Sequence, residues 1–472
     1  MRRVQPQVKH HGAHHHVTGS CHELYLTPQH SVLIDCGLFQ GAETSGATPT
    51  DASQKIDFSL DAVQALVVTH THIDHVGRIP YLLMAGFQQP IYCTKATAIL
   101  LPLVIEDALK IGLTRNKALI TQVLERLQSL LRPIDYDTWI PLYQSTAKAV
   151  AVQLRFRQAG HILGSAYAEF EWHHDSSSAE QLLPDGYRVV FSGDLGCRNT
   201  PLLPDPTPLE RANLLFIEST YGDRLHESRA SRMQRLQSII ERCVADGGAV
   251  LIPAFSMGRT QELLYEIEAI INDNQGFWPR ITVILDSPMA AALTEHYQQL
   301  TELWDEEAKL RIEEGRKPLD FSRLHVVNTH SEHEHIVNFL SSTGEPCIVI
   351  AASGMCTGGR MVNYLRALLP DPRTDILFVG YQAQGTPGRD IQRYGPKQGY
   401  VELEGERIPI RAGVHTLGGY SAHADQAELT DFIEQTTAGS VDEVRLIHGE
   451  AEAQQAFTQH LLQRGVHIVE TE

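Results

Sequence analysis

The chain has 472 residues, of which 42% are hydrophobic and 20% charged; this excludes a disordered or fibrous protein, and the length favours two domains over one core. Its 57 acidic and 39 basic residues leave a net charge of −18, so affinity for a polyanion has to come from locally concentrated positive charge. No apolar run approaches the roughly 20 residues that cross a bilayer, which excludes a membrane span, and seven scattered cysteines without a Cys-x-x-Cys pair suit a reducing cytoplasm.

In chain order, the basic start Met1-Arg2-Arg3-Val4-Gln5-Pro6 has no apolar stretch behind it and does not read as a secretory signal. His10, His11, His14, His15 and His16 follow, either as a metal-binding tract or as an engineering remnant. Ser31-Val32-Leu33-Ile34-Asp35-Cys36-Gly37 reads as a strand ending in a carboxylate. Asp35 at that end is placed to orient a neighbouring loop through hydrogen bonds.

The apolar run Ala65-Leu66-Val67-Val68 reads as a buried strand, and His70-Thr71-His72-Ile73-Asp74-His75 comes directly after it. Three imidazoles and a carboxylate within six residues are costly together unless a cation sits among them, and this donor set suits a borderline-soft dication such as zinc. His70 and His72 point one way and Asp74 and His75 turn away, so one loop can begin two metal sites. Val76 to Phe87 reads as a short helix, Pro90-Ile91-Tyr92-Cys93 as a strand, and Ala96 to Leu131 as a long helical region.

His161 lies between small residues in Ala159-Gly160-His161-Ile162-Leu163-Gly164-Ser165-Ala166, where the backbone can approach a metal. Val189-Val190-Phe191-Ser192-Gly193-Asp194 is an apolar strand that presents Asp194 at its end. Either residue alone is more often structural; following the His70 loop, they read as ligands. Leu214-Leu215-Phe216-Ile217 is a further strand, ending in Glu218-Ser219-Thr220-Tyr221-Gly222.

From about Asp223 the texture becomes a regular alternation of helices with strands at Ala249–Ile252, Ile281–Leu285, Leu324–Val327, Cys347–Ile350 and Asp375–Val379. That alternation predicts a doubly wound parallel sheet. Loops after these strands carry Gly258-Arg259, Gly358-Gly359-Arg360 and Gly385-Thr386-Pro387-Gly388-Arg389. Each alone is ordinary loop chemistry, but three together predict a phosphate path. Short strands at 399–403 and 407–410 precede Gly418-Gly419-Tyr420-Ser421-Ala422-His423-Ala424-Asp425, then a helix and the strand Glu443–Ile447 ending at His448.

Together these motifs resemble the β-CASP branch of the metallo-β-lactamase-fold ribonucleases, in particular the endonuclease subunit of the cleavage and polyadenylation specificity factor and its bacterial homologues. Glu218-Ser219-Thr220-Tyr221-Gly222 and Ser421-Ala422-His423-Ala424-Asp425 carry the specific part of the likeness; the J-type ribonucleases of the same branch differ at these two motifs and rank second. Val17-Thr18-Gly19-Ser20-Cys21 resembles the family's second strand region, which marks the histidine-rich start as native.

The resemblance implies an α/β fold, a metallo-β-lactamase αββα sandwich over 1–222 and 394–472, with a doubly wound β-CASP domain inserted at 223–393. It implies two zinc ions, one held by His70, His72 and His161, the other by Asp74, His75 and His448, with Asp194 bridging. Such a pair suits phosphodiester hydrolysis. Asp74 could also accept a proton, while His423, oriented by Glu218, would stand near the scissile phosphate. Ser219, Arg259, Gly359, Arg360 and Arg389 are expected to touch substrate.

These features predict a zinc-dependent ribonuclease acting on single-stranded RNA, endonucleolytic, 5′-exonucleolytic or both, in RNA processing or decay. A small-molecule hydrolase of thioesterase or lactonase type is the alternative in another substrate class, and a silent subunit of a processing complex is a third. The inserted domain and His423 disfavour the second reading, and the complete ligand set disfavours the third. Extra RNA-binding or dimerising modules of some relatives are missing, which leaves sequence preference open and a homodimer admissible.

Overall fold

The computed structural model describes residues 6–40, 54–145, 150–174 and 183–469; the basic start up to Gln5 lies outside the described residues. The chain divides into two compact units, one of 1–200, 204–225 and 423–472, the other of 201–203 and 226–422.

In the first unit, one six-stranded sheet runs in chain order, from β1 (Val8–Gly12) through β2 (Cys21–Thr27), β3 (His30–Ile34), β4 (Val63–Val67) and β5 (Ile91–Thr94) to β6 (Leu131–Ile134). A second sheet holds β7 (Ile140–Ser145), β8 (Val150–Gln158), β9 (Ala166–His174), β10 (Tyr187–Phe191) and β11 (Leu214–Glu218), with the strand Val444–Ile447 beyond β11. Period-two alternation turns one face of each sheet to the other. Leu24, Val32, Ile34, Ala65 and Val67 of the first meet Leu154, Phe156, Phe170, Trp172, Val189, Phe191 and Phe216 of the second in one buried cluster.

Each such large apolar side chain, fully withdrawn from water, contributes about 1.5–3 kcal/mol. The Trp172 indole also donates to the Leu26 carbonyl at 3.2 Å, tying the two sheets together. On the outer face of the second sheet, Tyr167, Val190, Leu215 and Ile217 pack against Leu429, Phe432, Phe457 and Leu461 of the helices Gln426–Glu434 and Ala451–Gln463. The helix Lys95–Gly112 covers β5 and β6 of the first sheet. This is the αββα sandwich.

In the second unit, β12 (Ala249–Pro253), β13 (Thr282–Asp286), β14 (Leu324–Val326), β15 (Cys347–Ala351), β16 (Asp375–Phe378) and β19 (Gly413–Thr416) form an all-parallel sheet, with β17 (Tyr400–Leu403) and β18 (Glu406–Pro409) as a separate hairpin. The sheet order is β14-β13-β15-β12-β16-β19. Its strands β12, β15 and β16 are buried along their whole length, and β13 but for its first residue, as doubly wound sheets require.

Two helix expectations change. The helix read over 76–87 is two short ones, Ile73–Val76 and Ile79–Met84, because the chain turns at Gly77-Arg78. The helical region read over 96–131 is Lys95–Gly112 and Lys117–Leu130, the second opened by Asn116, whose side chain accepts from the Ala118 and Leu119 amides. The second compact unit continues past 393 to Ala422, because β19 pairs with β16 as an edge strand. That strand has only four residues and no apolar run, so it left no periodic signal.

Candidate metal centre

The site stands at one edge of the sandwich because of how the strands pair. Strands β10, β11 and Val444–Ile447 are parallel neighbours, so Asp194, Glu218 and His448 leave the same edge of the second sheet. Antiparallel pairing aligns Phe191 with Ala168 and Gln158 with Ala166, which brings the β8–β9 loop, and His161 with it, to that edge too. In the first sheet β3 and β4 are parallel, with Ile34 opposite Val67, so Asp35 and the His70 loop emerge side by side.

Asp35 then fixes that loop. Its carboxylate accepts from the Thr69 amide and hydroxyl at 2.8 Å each and from Nδ1 of His75 at 2.7 Å. Nε2 of His75 is thereby turned toward the centre. Asp35 and His448 both adopt the left-handed backbone, with φ of 59° and 48°, a strained conformation that the surrounding packing holds. Gly37 is required for a different reason: a Cβ there would lie 1.5 Å from the Asp74 carbonyl oxygen. Ser165 accepts the His161 amide at 2.9 Å and so closes the His161 loop. Thr69 and Ser165 were not singled out in the sequence; a hydroxyl one residue before or four after a ligand is their only signal.

Asp194 is the centre of the cluster. Its Oδ2 lies 3.5 Å from Nε2 of both His70 and His161, and its Oδ1 lies 3.2 Å from Nε2 of His75 and 3.5 Å from Nε2 of His448. His72 joins the first group, with Nδ1 3.0 Å from Nε2 of His161. Asp74 joins the second, 3.9 Å from both His75 and His448. His70, His72, His161 and Asp194 could therefore hold one cation, and Asp74, His75 and His448 another. The histidines of the N-terminal tract belong to no such group among the described residues.

The donor chemistry fits a cation. Nε2 of His70, Nε2 of His75 and Oδ1 of Asp194 are buried without a hydrogen-bond partner, which is costly unless another partner is bound. Burial pushes His70, His72 and His448 below the ordinary imidazole range, the last two to about 4, so they stay neutral and ligand-competent. For Asp194 burial works upward, but the imidazoles around it, His75 and His423 with raised pKa among them, outweigh it and hold the carboxyl well below its ordinary range.

His423 and Glu218 adjoin this centre. Nδ1 of His423 lies 3.1 Å from Oε2 of Glu218, and its Nε2 lies 3.8 Å from Asp194. Burial disfavours charge on the ring, yet Glu218 and Asp194 prevail and raise its pKa to about 9. The Glu218 carboxylate also accepts the Leu195 amide at 2.7 Å, and a backbone bridge joins Gly196 to His423. The imidazole is thus held by its ring nitrogen and by its own backbone.

The expected substrate residues fare differently. Ser219 is fully buried and its hydroxyl donates to the Ile447 carbonyl at 2.8 Å, so it is not available to substrate. Arg259 is buried as well, paired with Glu262 and lying over the Tyr420 ring at 5.7 Å. Its Gly-Arg pattern is that of a helix start, and the helix has turned the guanidinium inward. Arg360 donates to Asp286 at 2.5 Å and to the Val327 carbonyl at 3.1 Å, and Gly359 opens its helix at φ 73°. Arg389 is exposed.

Comparison with known proteins agrees with this architecture. The metallo-beta-lactamase superfamily family matches residues 17–254, the Beta-Casp domain 260–391, and the Zn-dependent metallo-hydrolase RNA specificity domain 407–469. The chain is 37% identical over 459 residues to the ribonuclease TTHA0252 of Thermus thermophilus, covering 97% of this chain and 96% of that one. It is 32% identical over 449 residues to the transcription termination factor FttA of Methanocaldococcus jannaschii, covering 93% of this chain but 66% of that longer one. FttA of Pyrococcus abyssi is 30% identical over 437 residues, covering 90% and 64%. No helix among the described residues is long and apolar enough to cross a membrane. The chain belongs to the β-CASP family of the metallo-β-lactamase superfamily and is a nucleic-acid hydrolase.

Proposed function

We propose that the protein is a cytoplasmic zinc-dependent ribonuclease that hydrolyses single-stranded RNA with two metal ions per chain. The observation that carries this reading is the partition of the donors by Asp194, one carboxylate oxygen facing each group. His70, His72 and His161 would hold one zinc, Asp74, His75 and His448 the other, and Asp194 both. Zinc bound in this way supplies a nucleophile at neutral pH and offsets charge on the reacting phosphate.

The remaining work falls to the chain itself. Asp35 fixes the tautomer and orientation of His75. Asp74, partly buried like His72, is positioned to take a proton. His423 supplies a proton to the departing ribose oxygen, and Glu218 holds its ring for that transfer.

Elemental analysis of protein purified without added metal is expected to give about two zinc equivalents per chain. Asp194→Asn should lower that content toward one or none, since a carboxamide cannot offer two anionic oxygens. A native content at or below one equivalent would sink the two-metal reading. Incubating end-labelled RNA with the zinc-loaded protein should yield products that vanish on chelation, and the product ladder separates internal cleavage from cleavage proceeding from a 5′ end.

Arginine substitutions should separate as well. Arg389→Ala should weaken RNA binding and flatten its salt dependence slightly, as loss of one phosphate contact does, with thermal stability unchanged. Arg259→Ala should instead lower stability by leaving Glu262 buried beside one partner fewer. Equal effects of the two changes on RNA affinity would restore Arg259 to the phosphate path.

A further inference from the structure

Two large aromatic side chains stand unusually open at the carboxyl ends of the parallel sheet of the second unit. Phe255 follows β12 and Tyr381 follows β16, with 41% and 54% of their surfaces exposed. These two strands are hydrogen-bonded neighbours, with Leu251 opposite Ile376, so their outgoing loops run side by side. From β12 the chain travels toward β13 at one side of the sheet, and from β16 toward β19 at the other. The pair therefore marks the topological switch point, where open α/β sheets bind ligands outside their strand ends.

Two glycines line one edge of the Phe255 ring. A Cβ at Gly354 would lie 3.1 Å from its Cδ2, and one at Gly380 would lie 3.6 Å from its Cε2. That edge of the ring thus rests against glycine backbone, and a side chain added at Gly354 would press on it. The backbone beneath is fixed. The Phe255 carbonyl accepts the Thr260 hydroxyl at 2.8 Å, and the Ala254 amide donates to the Ala351 carbonyl at 3.1 Å. Gln382, buried next to Tyr381, ties its loop to the one after β15 by donating to the Gly354 carbonyl at 2.8 Å, and braces its own loop by donating to the Gly380 carbonyl at 3.3 Å. Its Oε1 is left buried without a partner. The exposed Arg389 lies on the same connection as Tyr381.

An exposed, rigidly mounted aromatic pair, with an exposed arginine on the same connection, is the equipment with which proteins hold unpaired nucleobases, the rings stacking and the cation meeting phosphate. We infer that Phe255 and Tyr381 form a base-stacking platform that holds nucleobases of a single-stranded RNA at the switch point of the second unit. The inference rests on the ribonuclease reading for the identity of its ligand. It also accounts for how so acidic a protein holds a polyanion: stacking supplies affinity that does not require neutralising phosphates.

The test compares two probes on the full zinc-loaded protein by fluorescence anisotropy. One is a labelled phosphorothioate oligoribonucleotide of about twelve nucleotides, within the span such surfaces cover; the other has the same backbone with abasic positions. Native protein should prefer the base-bearing probe by about 10- to 100-fold, the effect of one or two stacked bases. Phe255→Ala/Tyr381→Ala should abolish that preference while its affinity for the abasic probe stays native. Phe255→Leu/Tyr381→Leu, which keeps apolar bulk at both exposed positions, should lose most of the preference without risk to the fold.

A native protein that binds both probes equally, or a preference that survives both double variants, would overturn the platform and leave the patch to a protein contact. Cleavage of unmodified RNA by native protein is scored separately. Its absence would refute the ribonuclease reading, whereas the affinity ratio bears on the platform alone.

Discussion

His423→Ala is expected to slow RNA cleavage about 10²–10⁴-fold, the range for loss of a general acid, with zinc content and RNA affinity at native levels. The ring stands beside the seven proposed metal donors, in a third possible donor group with Asp194 and Glu218, bonded through Nδ1 to Glu218 at 3.1 Å and facing Asp194 through Nε2 at 3.8 Å. On the proposed reading its removal takes away a proton donor and leaves both proposed zinc groups with every side chain they had. Glu218→Gln should slow turnover less, because the ring stays while its hold weakens. Glu218 also accepts the Leu195 amide, and glutamine can keep that bond through its carbonyl, so the backbone beside Asp194 is preserved.

The comparison that decides is single-turnover cleavage at saturating RNA with zinc measured on the same samples. A His423→Ala protein with native turnover would leave the metals as the whole catalytic apparatus. A variant that loses zinc would instead place His423 among the groups that shape the metal centre. A lost acid should also be spared on a substrate whose leaving group needs no proton, such as a nitrophenyl phosphodiester, and a distorted metal centre should not.

The cluster of candidate donors was legible in the sequence for a definite reason: His70, His161, Asp194 and His448 lie just after strand ends, and apolar strands are the strongest periodic signal a chain carries. His70, Asp194 and His448 follow strands whose parallel pairing brings their ends together, so spacing along the chain mapped onto space. Residues read from loop composition fared worse. Gly258-Arg259 and Gly359-Arg360 look alike in sequence, yet one guanidinium is buried against Glu262 and the other is bonded to Asp286. Which way a helix's first side chain faces depends on packing that a dipeptide does not encode.

Ser219 illustrates the same limit within a motif, its hydroxyl taken up by Ile447 from a strand more than 200 residues later. The edge strand Gly413–Thr416 escaped because edge strands need not be apolar. An aromatic at the end of an apolar run reads as core, so nothing in the sequence signals the exposure of Phe255 and Tyr381.

Asp286→Ala is expected to destabilise the protein by about 3–5 kcal/mol, the cost of breaking a buried ion pair by removing one partner. Asp286 is the last residue of β13 and has no exposed surface. Its carboxylate accepts from the Arg360 guanidinium and the Tyr364 hydroxyl at 2.5 Å each and from Nδ1 of His333 at 2.7 Å. Burial and the carboxylate together raise the Tyr364 pKa far above its ordinary value, so that hydroxyl remains a donor. Alanine would leave three donors from two helices without their acceptor, one of them charged. Asp286→Asn should cost less, since one oxygen remains, but its amide would face the guanidinium.

Denaturant unfolding read by circular dichroism should show the lowered midpoint, and zinc content below the transition should stay native because all seven metal donors lie in the other unit. A double-mutant cycle with Arg360→Met isolates the ion pair: strong coupling means that Asp286 holds Arg360 as part of the fold. Asp286→Ala unfolding at the native midpoint would show that the carboxylate is not what fixes these loops, and would return Arg360 to the groups that meet substrate phosphate.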